Sequence, residues 1–260
     1  MKTVPILKKP VLKIMKEDEK ALAITDLHLG ISAEISKKGI EIPNRVQKAK
    51  ERILKILEEQ APEKMFLLGD IKHNIPIMSQ REWELLPDFF EELSEKTNIE
   101  IIPGNHDGDI KGLLPRGIEL HGSKGTTKNQ KIGLLHGHAW PKKELLQTDT
   151  IIMGHNHPTI EFEDELGGRA KERAWIRTEL ILEKLPENLR KGIEEPPEVL
   201  IMPAFSNLVG GGAINRELPE DLLGPLFESE AVDLKNAEVH LLDGTFLGKL
   251  ENLRLEPAYK

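Results

Sequence analysis

One pairing constrains this chain more than any other feature. Five times between residues 20 and 160, a short apolar run ends and a motif rich in His, Asp or Asn begins at once. Residues 21–25 lead into Asp26-Leu27-His28, and 65–68 into Gly69-Asp70. Residues 99–102 lead, after Pro103, into Gly104-Asn105-His106-Asp107. Residues 132–135 lead into His136-Gly137-His138, and 150–153 into Gly154-His155-Asn156-His157. Apolar runs of this length read as buried strands. In open α/β sheets, ligands bind beyond the carboxyl ends of strands, so five such ends can converge on one site.

The residue types specify the chemistry of that site. With no cysteine in 260 residues, disulfides, thiolate metal sites and cysteine nucleophiles are all excluded. Six of the nine histidines lie in the five motifs. Imidazole nitrogen together with carboxylate oxygen favours Mn, Fe, Zn, Co or Ni over calcium or an iron–sulfur cluster. A carboxylate can bridge two cations. Two cations roughly 3.5–4 Å apart can clamp a phosphoryl group and acidify a bridging water, and the resulting hydroxide attacks phosphorus in line. Gly30, Gly69, Gly104, Gly137 and Gly154 accompany the motifs, where tight turns and close backbone approach need a residue without Cβ.

Around the motifs the chain reads as α/β. Residues 11–15 and 21–25 flank a charged turn and form a hairpin. Residues 43–60 are a helix, with Val46, Ala49, Ile53, Ile56 and Leu57 on one face. Ser79 and Glu82 have capping-box spacing at the start of a second helix, which Pro87 splits or kinks. From about residue 158 the texture turns to β: strands at 160–163, 174–182, 199–202, 237–242 and 245–250, with a short helix at 185–192. Asp243-Gly244 is a hairpin turn. This second half is expected to form a second sheet on the first. We expect one domain over 1–260, with a motif-bearing half at 20–160 and a mostly β half at 160–260. No apolar run approaches a membrane span and no secretory pattern is seen, so the expectation is a cytoplasmic protein with no membrane association. The net charge of −8 argues against a broad nucleic-acid surface but not against a phosphate substrate beside bound cations.

As an ordered set, the five motifs resemble those of the calcineurin-like metallophosphoesterases: D-x-H, G-D, G-N-H-[DE], an H-x motif and G-H-x-H. The resemblance implies a four-layer α/β/β/α sandwich of two packed mixed sheets with the metal site at strand carboxyl ends. It implies two divalent ions, Mn²⁺ foremost. One ion would take Asp26, His28, Asp70 and His157; the other would take Asp70, Asn105, His136 and His155. His106 would stabilise phosphoryl oxygens or protonate the leaving group, with Asp107 orienting its ring. Lys72, His73, His138 and Asn207 are candidate substrate contacts. Thr25 to Gly30, Gly69 to His73 and Met202-Pro203-Ala204-Phe205 are further similar to the SbcD-related archaeal and DNA ligase-associated phosphoesterases.

The leading function is phosphodiester hydrolysis on a nucleotide or nucleic-acid end, through a metal-bridging hydroxide and a His general acid. A phosphomonoesterase, a DNA-end nuclease and a non-catalytic scaffold are the alternatives. His121 and His240 read as structural, and Trp83 and Trp175 as core or interface. Gly210-Gly211-Gly212 reads as a turn at the site rim. Lys48, Lys50, Arg52 and Lys55 read as the solvated face of the first helix.

Overall fold

The structure is a computed structural model that describes residues 1–32, 35, 45–73, 80–216 and 222–255. The capping residue Ser79 and the first two residues of the expected 43–60 helix lie outside this set. Two sheets pack face to face, with helices on the outer face of the first.

The first sheet has the order β1 (Lys2–Pro5), β2 (Leu12–Lys16), β3 (Glu19–Ile24), β4 (Lys64–Leu68), β5 (Asn98–Ile102), β6 (Glu119–Leu120). Its first three strands are antiparallel, whereas β3 to β6 run parallel. Two helices, α1 (Arg45–Gln60) and α2 (Gln80–Ser94), connect the parallel strands. Such crossovers are what parallel pairing requires. The α2 helix runs through Pro87 as one element rather than splitting there.

The second sheet contains β7 (Thr126–Lys128), β8 (Ile132–Leu134), β9 (Thr150–Met153), β10 (Thr159–Glu163), β11 (Arg169–Glu179), β12 (Glu198–Ile201), β13 (Glu238–Leu241) and β14 (Phe246–Lys249). β8, β9 and β12 are parallel and the remaining pairs antiparallel. Two short helices, α3 (Glu187–Arg190) and α4 (Pro225–Glu228), accompany this half. The change of sheet therefore falls near residue 122, not near 158 as the texture of the sequence implied. The strands carrying the last two motifs belong to the second sheet.

Strand alternation explains the layers. Along β4, Met65 and Leu67 point to α1 and α2, while Phe66 and Leu68 join Leu12, Ile14, Ala23 and Ile102 on the other face. There they meet Ile132, Leu134, Ile152, Trp175, Leu200 and Met202 of the second sheet. Successive side chains point to opposite faces. A strand buried on both faces has no polar alternation, which is why these runs are continuously apolar in sequence. Trp175 is in this core, but Trp83 is half exposed on α2. Among the described residues, no helix is long and apolar enough to cross a membrane.

One charge is buried between the sheets. Glu100 on β5 is 3% exposed. It receives Lys64, Lys128 of the second sheet, and His121 at 2.8 Å. Burial alone would raise the Glu100 carboxyl; the His121 and lysine bonds overcome it and bring it down to about 2 from 4.5. A depressed carboxylate stabilises the fold fully above its unfolded pKa, and that contribution disappears as pH falls from about 4.5 toward 2. Glu100→Gln should therefore lower stability by about 2 kcal/mol at pH 7, less than for a fully enclosed pair because both lysines reach solvent. Urea midpoints at pH 7, 4.5 and 3 should converge for wild type and variant as the pH drops. Parallel curves would rule this role out.

Candidate metal centre

All five motifs meet where the two sheets adjoin. β3, β4 and β5 deliver Asp26 and His28, Asp70, and Asn105 to Asp107; β8 and β9 deliver His136 and the 155–157 segment. Backbone bonds tie the loops together. Asp26 N donates to Gly69 O (3.1 Å), His28 N to Asp70 O (2.8 Å) and Gly154 N to His136 O (3.0 Å). Five of the site residues lie in the left-handed region: Asp26 (φ 55), His28 (φ 45), Asp70 (φ 49), His155 (φ 73) and His157 (φ 43). Such backbone costs roughly 1–3 kcal/mol per residue and persists only where surrounding structure over-determines it. Here the strand ends and the cross-loop bonds do so.

Three donor groups result at the site, one of them His28, His73 and His106, and the other two built from the expected ligands. Asp26, His28 and His157 bring one ligand atom each within 4.8 Å of one another, and so do Asp70, His136 and His155. His28 Nε2 lies 3.4 Å from His157 Nε2, and His155 Nδ1 lies 3.1 Å from His136 Nε2. Asp70 stands between the groups, with Oδ1 3.4 Å from His136 Nε2 and Oδ2 3.6 Å from His28 Nε2.

Backbone carbonyls set the tautomers. His136 Nδ1–H donates to Leu68 O (2.8 Å) and His157 Nδ1–H to Gly210 O (3.2 Å). Each ring thereby turns its Nε2 inward, the arrangement that orients metal-binding histidines. Asp26 Oδ1 is fully buried with no well-aligned hydrogen bond, although His157 Nε2 stands 3.2 Å away. Asp26 Oδ2 accepts from His155 N (3.1 Å), and the Thr25 hydroxyl lies 2.8 Å from it and 2.7 Å from Leu68 O, with one proton to share. An orphaned carboxylate oxygen facing paired imidazole nitrogens fits a cation. These nitrogen and oxygen donors can hold one or two divalent ions.

The electrostatics sort the rings. Burial drives His28 down to about 3 and His155 to about 4, so both are neutral at pH 7 with lone pairs available. Burial also opposes a proton on His136, but its bond to Asp70 and the charges of Asp26 and Asp70 raise it to about 9. His157 is raised by Asp26 against the same burial. Both carboxyls are held below the usual range: burial would raise them, and the close approach and charge of His157 and His136 outweigh it.

Other expected residues fall differently. His106 Nδ1–H donates to His73 O at 2.6 Å, which turns Nε2 toward Asp70 Oδ2, 3.9 Å away. Asp107 does not orient that ring. Its oxygens accept from the backbone N–H groups of Ile71 (2.9 Å), Lys72 (3.2 Å) and Gly104 (2.8 Å), so it clamps the Asp70 loop to the Asn105 loop. The orienting carbonyl belongs to His73, whose Nδ1 also lies 3.1 Å from His28 Nδ1 and whose ring stacks on His106. Lys72 is fully buried and has no exposed surface for a substrate. Asn105 is exposed. His138 sits beside His136 and His155, its Nδ1 buried without a hydrogen bond. Asn207 is exposed on the cleft next to His28.

Three contributors escaped sequence reading: Thr25, Arg52 and Asn156. Asn156 is no ligand; its side chain exchanges two hydrogen bonds with the Leu223 backbone (2.8 and 3.0 Å) and fastens that loop at the site rim. Its polarity inside the His-x-His motif was the available signal. The Gly210 carbonyl accepts from His157 Nδ1, which brings this turn against the site.

The sequence matches the family described as calcineurin-like phosphoesterase over residues 20–227. No curated protein matches. Among solved structures, the Pseudomonas putida nuclease MPE superposes with a TM-score of 0.55 at 18% identity, covering 93% of this chain and 98% of that one. That likeness shows a shared fold. YfcE, a phosphoesterase from E. coli, aligns with a TM-score of 0.36 at 17% identity, over 55% of this chain and 73% of that chain. A family match of this extent, with both donor groups in place, supports metal-dependent phosphoester hydrolysis in general: the chain belongs to the calcineurin-like phosphoesterases.

Proposed function

We propose that the protein is a dinuclear metal-dependent phosphodiesterase, with Mn²⁺ the ion to load first. Asp26, His28 and His157 would hold one ion, His136, His155 and Asn105 the other, and Asp70 both. When bound, such a pair supplies Lewis acidity on the phosphoryl oxygens and acidifies a water. His106 is the observation that carries the diester reading. Its Nδ1 proton is committed to the His73 carbonyl, so the only nitrogen free to exchange a proton with substrate is Nε2, at the partly open edge of the site beside Asp70. Donation from Nε2 leaves a neutral ring still anchored through Nδ1–H, with no reorientation. A poor alkoxide leaving group needs such a donor; a nitrophenolate scarcely does.

The test compares bis-(p-nitrophenyl) phosphate, p-nitrophenyl phosphate and a dinucleoside monophosphate with Mn²⁺-loaded protein. The diesters should turn over faster than the monoester, and chelation should abolish all turnover. His106→Ala should lose about 10²-fold or more in kcat on the dinucleoside monophosphate, lose much less on the nitrophenyl diester, and still bind Mn²⁺. Hydrolysis of none of these esters would refute the enzyme reading. An equal loss on both diesters would remove the acid from His106.

A further inference from the structure

We propose that the cleft beside His28, walled by Arg52 and Asn207, binds a second phosphate of the substrate, adjoining the ester that is cut, so that the substrate is an oligonucleotide strand rather than an isolated diester. This rests on the phosphodiesterase reading above.

The cleft has a volume of about 120 Å³, and Leu27, His28, Leu29, Arg52, Ser206 and Asn207 are among its walls. Whole small-molecule pockets run to roughly 300–1,000 Å³, so this one suits one group of a larger ligand. His28 lines it, which makes it continuous with the metal centre.

Among the described residues, Arg52 in its wall is not ion-paired to a carboxylate. The Arg52 guanidinium lies 4.3 Å above the Phe205 ring and donates through Nη1 to Phe205 O (3.3 Å). Arg173 donates through Nη1 to the preceding carbonyl, Ala204 O (3.1 Å). The two cations are close enough that Arg173 lowers the Arg52 pKa, after burial has done most of that work. Among the described residues, neither guanidinium has a carboxylate within 4 Å. By contrast, Arg169, Arg177 and Arg216 each hold a glutamate. The fold thus fixes Arg52 by ring stacking and one carbonyl, and among the described residues its other donors and its charge are uncommitted. A partly buried arginine fork of this kind matches a phosphate.

The platform beneath it is rigid with respect to the metal centre. Phe205 N donates to Thr25 O (2.9 Å) and Ser206 N to Asp26 O (3.1 Å), so the segment bearing the cleft is an extension of the loop that carries Asp26 and His28. Lys48 lies one helical turn before Arg52 on α1, exposed at the cleft mouth. A strand threading from the metal centre past His28 would meet Arg52 and then Lys48.

The experiment measures binding by fluorescence anisotropy in chelator and again with Mn²⁺. The probes are a labelled phosphorothioate DNA tetranucleotide and a labelled dinucleoside monophosphate. Wild type should prefer the tetranucleotide. Arg52→Gln should reduce that preference about tenfold and lower the salt slope for the tetranucleotide by about one phosphate contact. Arg52→Lys should restore part of it, because charge returns without the fork. Equal weakening on both probes, or no change on either, would mean that Arg52 serves only the architecture, and the subsite falls. If Arg52→Gln does not fold, Lys48→Gln and Asn207→Ala decide: a reduced preference supports the subsite and an unchanged one removes it. Wild type without any preference also removes it while leaving turnover of the nitrophenyl esters intact. Absent turnover with the preference retained would instead strike the hydrolase reading.

Discussion

Asp70→Asn is expected to cut bound Mn²⁺ from two equivalents to one or none and to lower phosphodiester turnover on the order of 10³-fold. The argument is geometric. Asp70 Oδ1 and Oδ2 face different donor groups, the one 3.4 Å from His136 Nε2 and the other 3.6 Å from His28 Nε2. Asp26, the other carboxylate of the two groups, belongs to only one of them. Asparagine keeps the shape but replaces one oxygen by an N–H donor and removes the charge, so one group loses its shared ligand and the other its counter-charge. Lewis-acid stabilisation of a phosphoryl group is worth several kcal/mol, and about 1.36 kcal/mol is a factor of ten. Elemental analysis after desalting counts the metal, and nitrophenyl ester turnover gives the rate. His106→Ala is the contrasting case: it should keep its metal while turnover of the dinucleoside monophosphate falls. If Asp70→Asn retained two equivalents, the bridging role would belong to another residue.

Much of this centre could be read from the sequence because metal chemistry concentrates its donors in short motifs at strand ends. The strand-end rule pointed to all five motifs, resemblance to the phosphoesterase family picked Asp26, His28, Asp70, His136, His155 and His157 from them, and the structure brings these six together. What stayed hidden depends on tertiary context. A strand buried on both faces looks alike in either sheet, so β8 and β9 could not be assigned to the second sheet from their own residues. The strands β1, β6 and β7 carry Lys, Pro, Glu or Thr and gave no apolar run to detect. Arg52 sits among Lys48, Lys50 and Lys55 on α1 and looked like one more solvated cation; only the approach of Phe205, 153 residues away in sequence, distinguishes it. The Asp107 carboxylate was expected on the neighbouring imidazole, yet unpaired backbone amides in a buried loop claim it first. His73 orients the His106 ring through a main-chain carbonyl, a role that leaves no trace in residue type.

Gly69→Ala is expected to disable the centre through backbone alone, with about 3 kcal/mol lost in stability and metal binding lost with it. Gly69 adopts φ +80, where an L side chain is strained. A Cβ at this position would also press on the His136 ring, with Cγ at 2.5 Å, and on the Gly104 Cα at 2.8 Å. The second clash is with backbone, so no rotamer change relieves it. Either Asp70 swings away from His136 or the Asn105 loop moves off the Asp70 loop, and both motions separate the two donor groups. Overpacking and left-handed strain each cost roughly 1–3 kcal/mol. Stability in chelator reads the strain without metal, and a Mn²⁺ titration reads the donor geometry. A variant that melts like wild type and still binds both ions would mean that the loops have slack the present geometry denies them, and the tight junction of Gly69, Gly104 and His136 would no longer account for how the site is held.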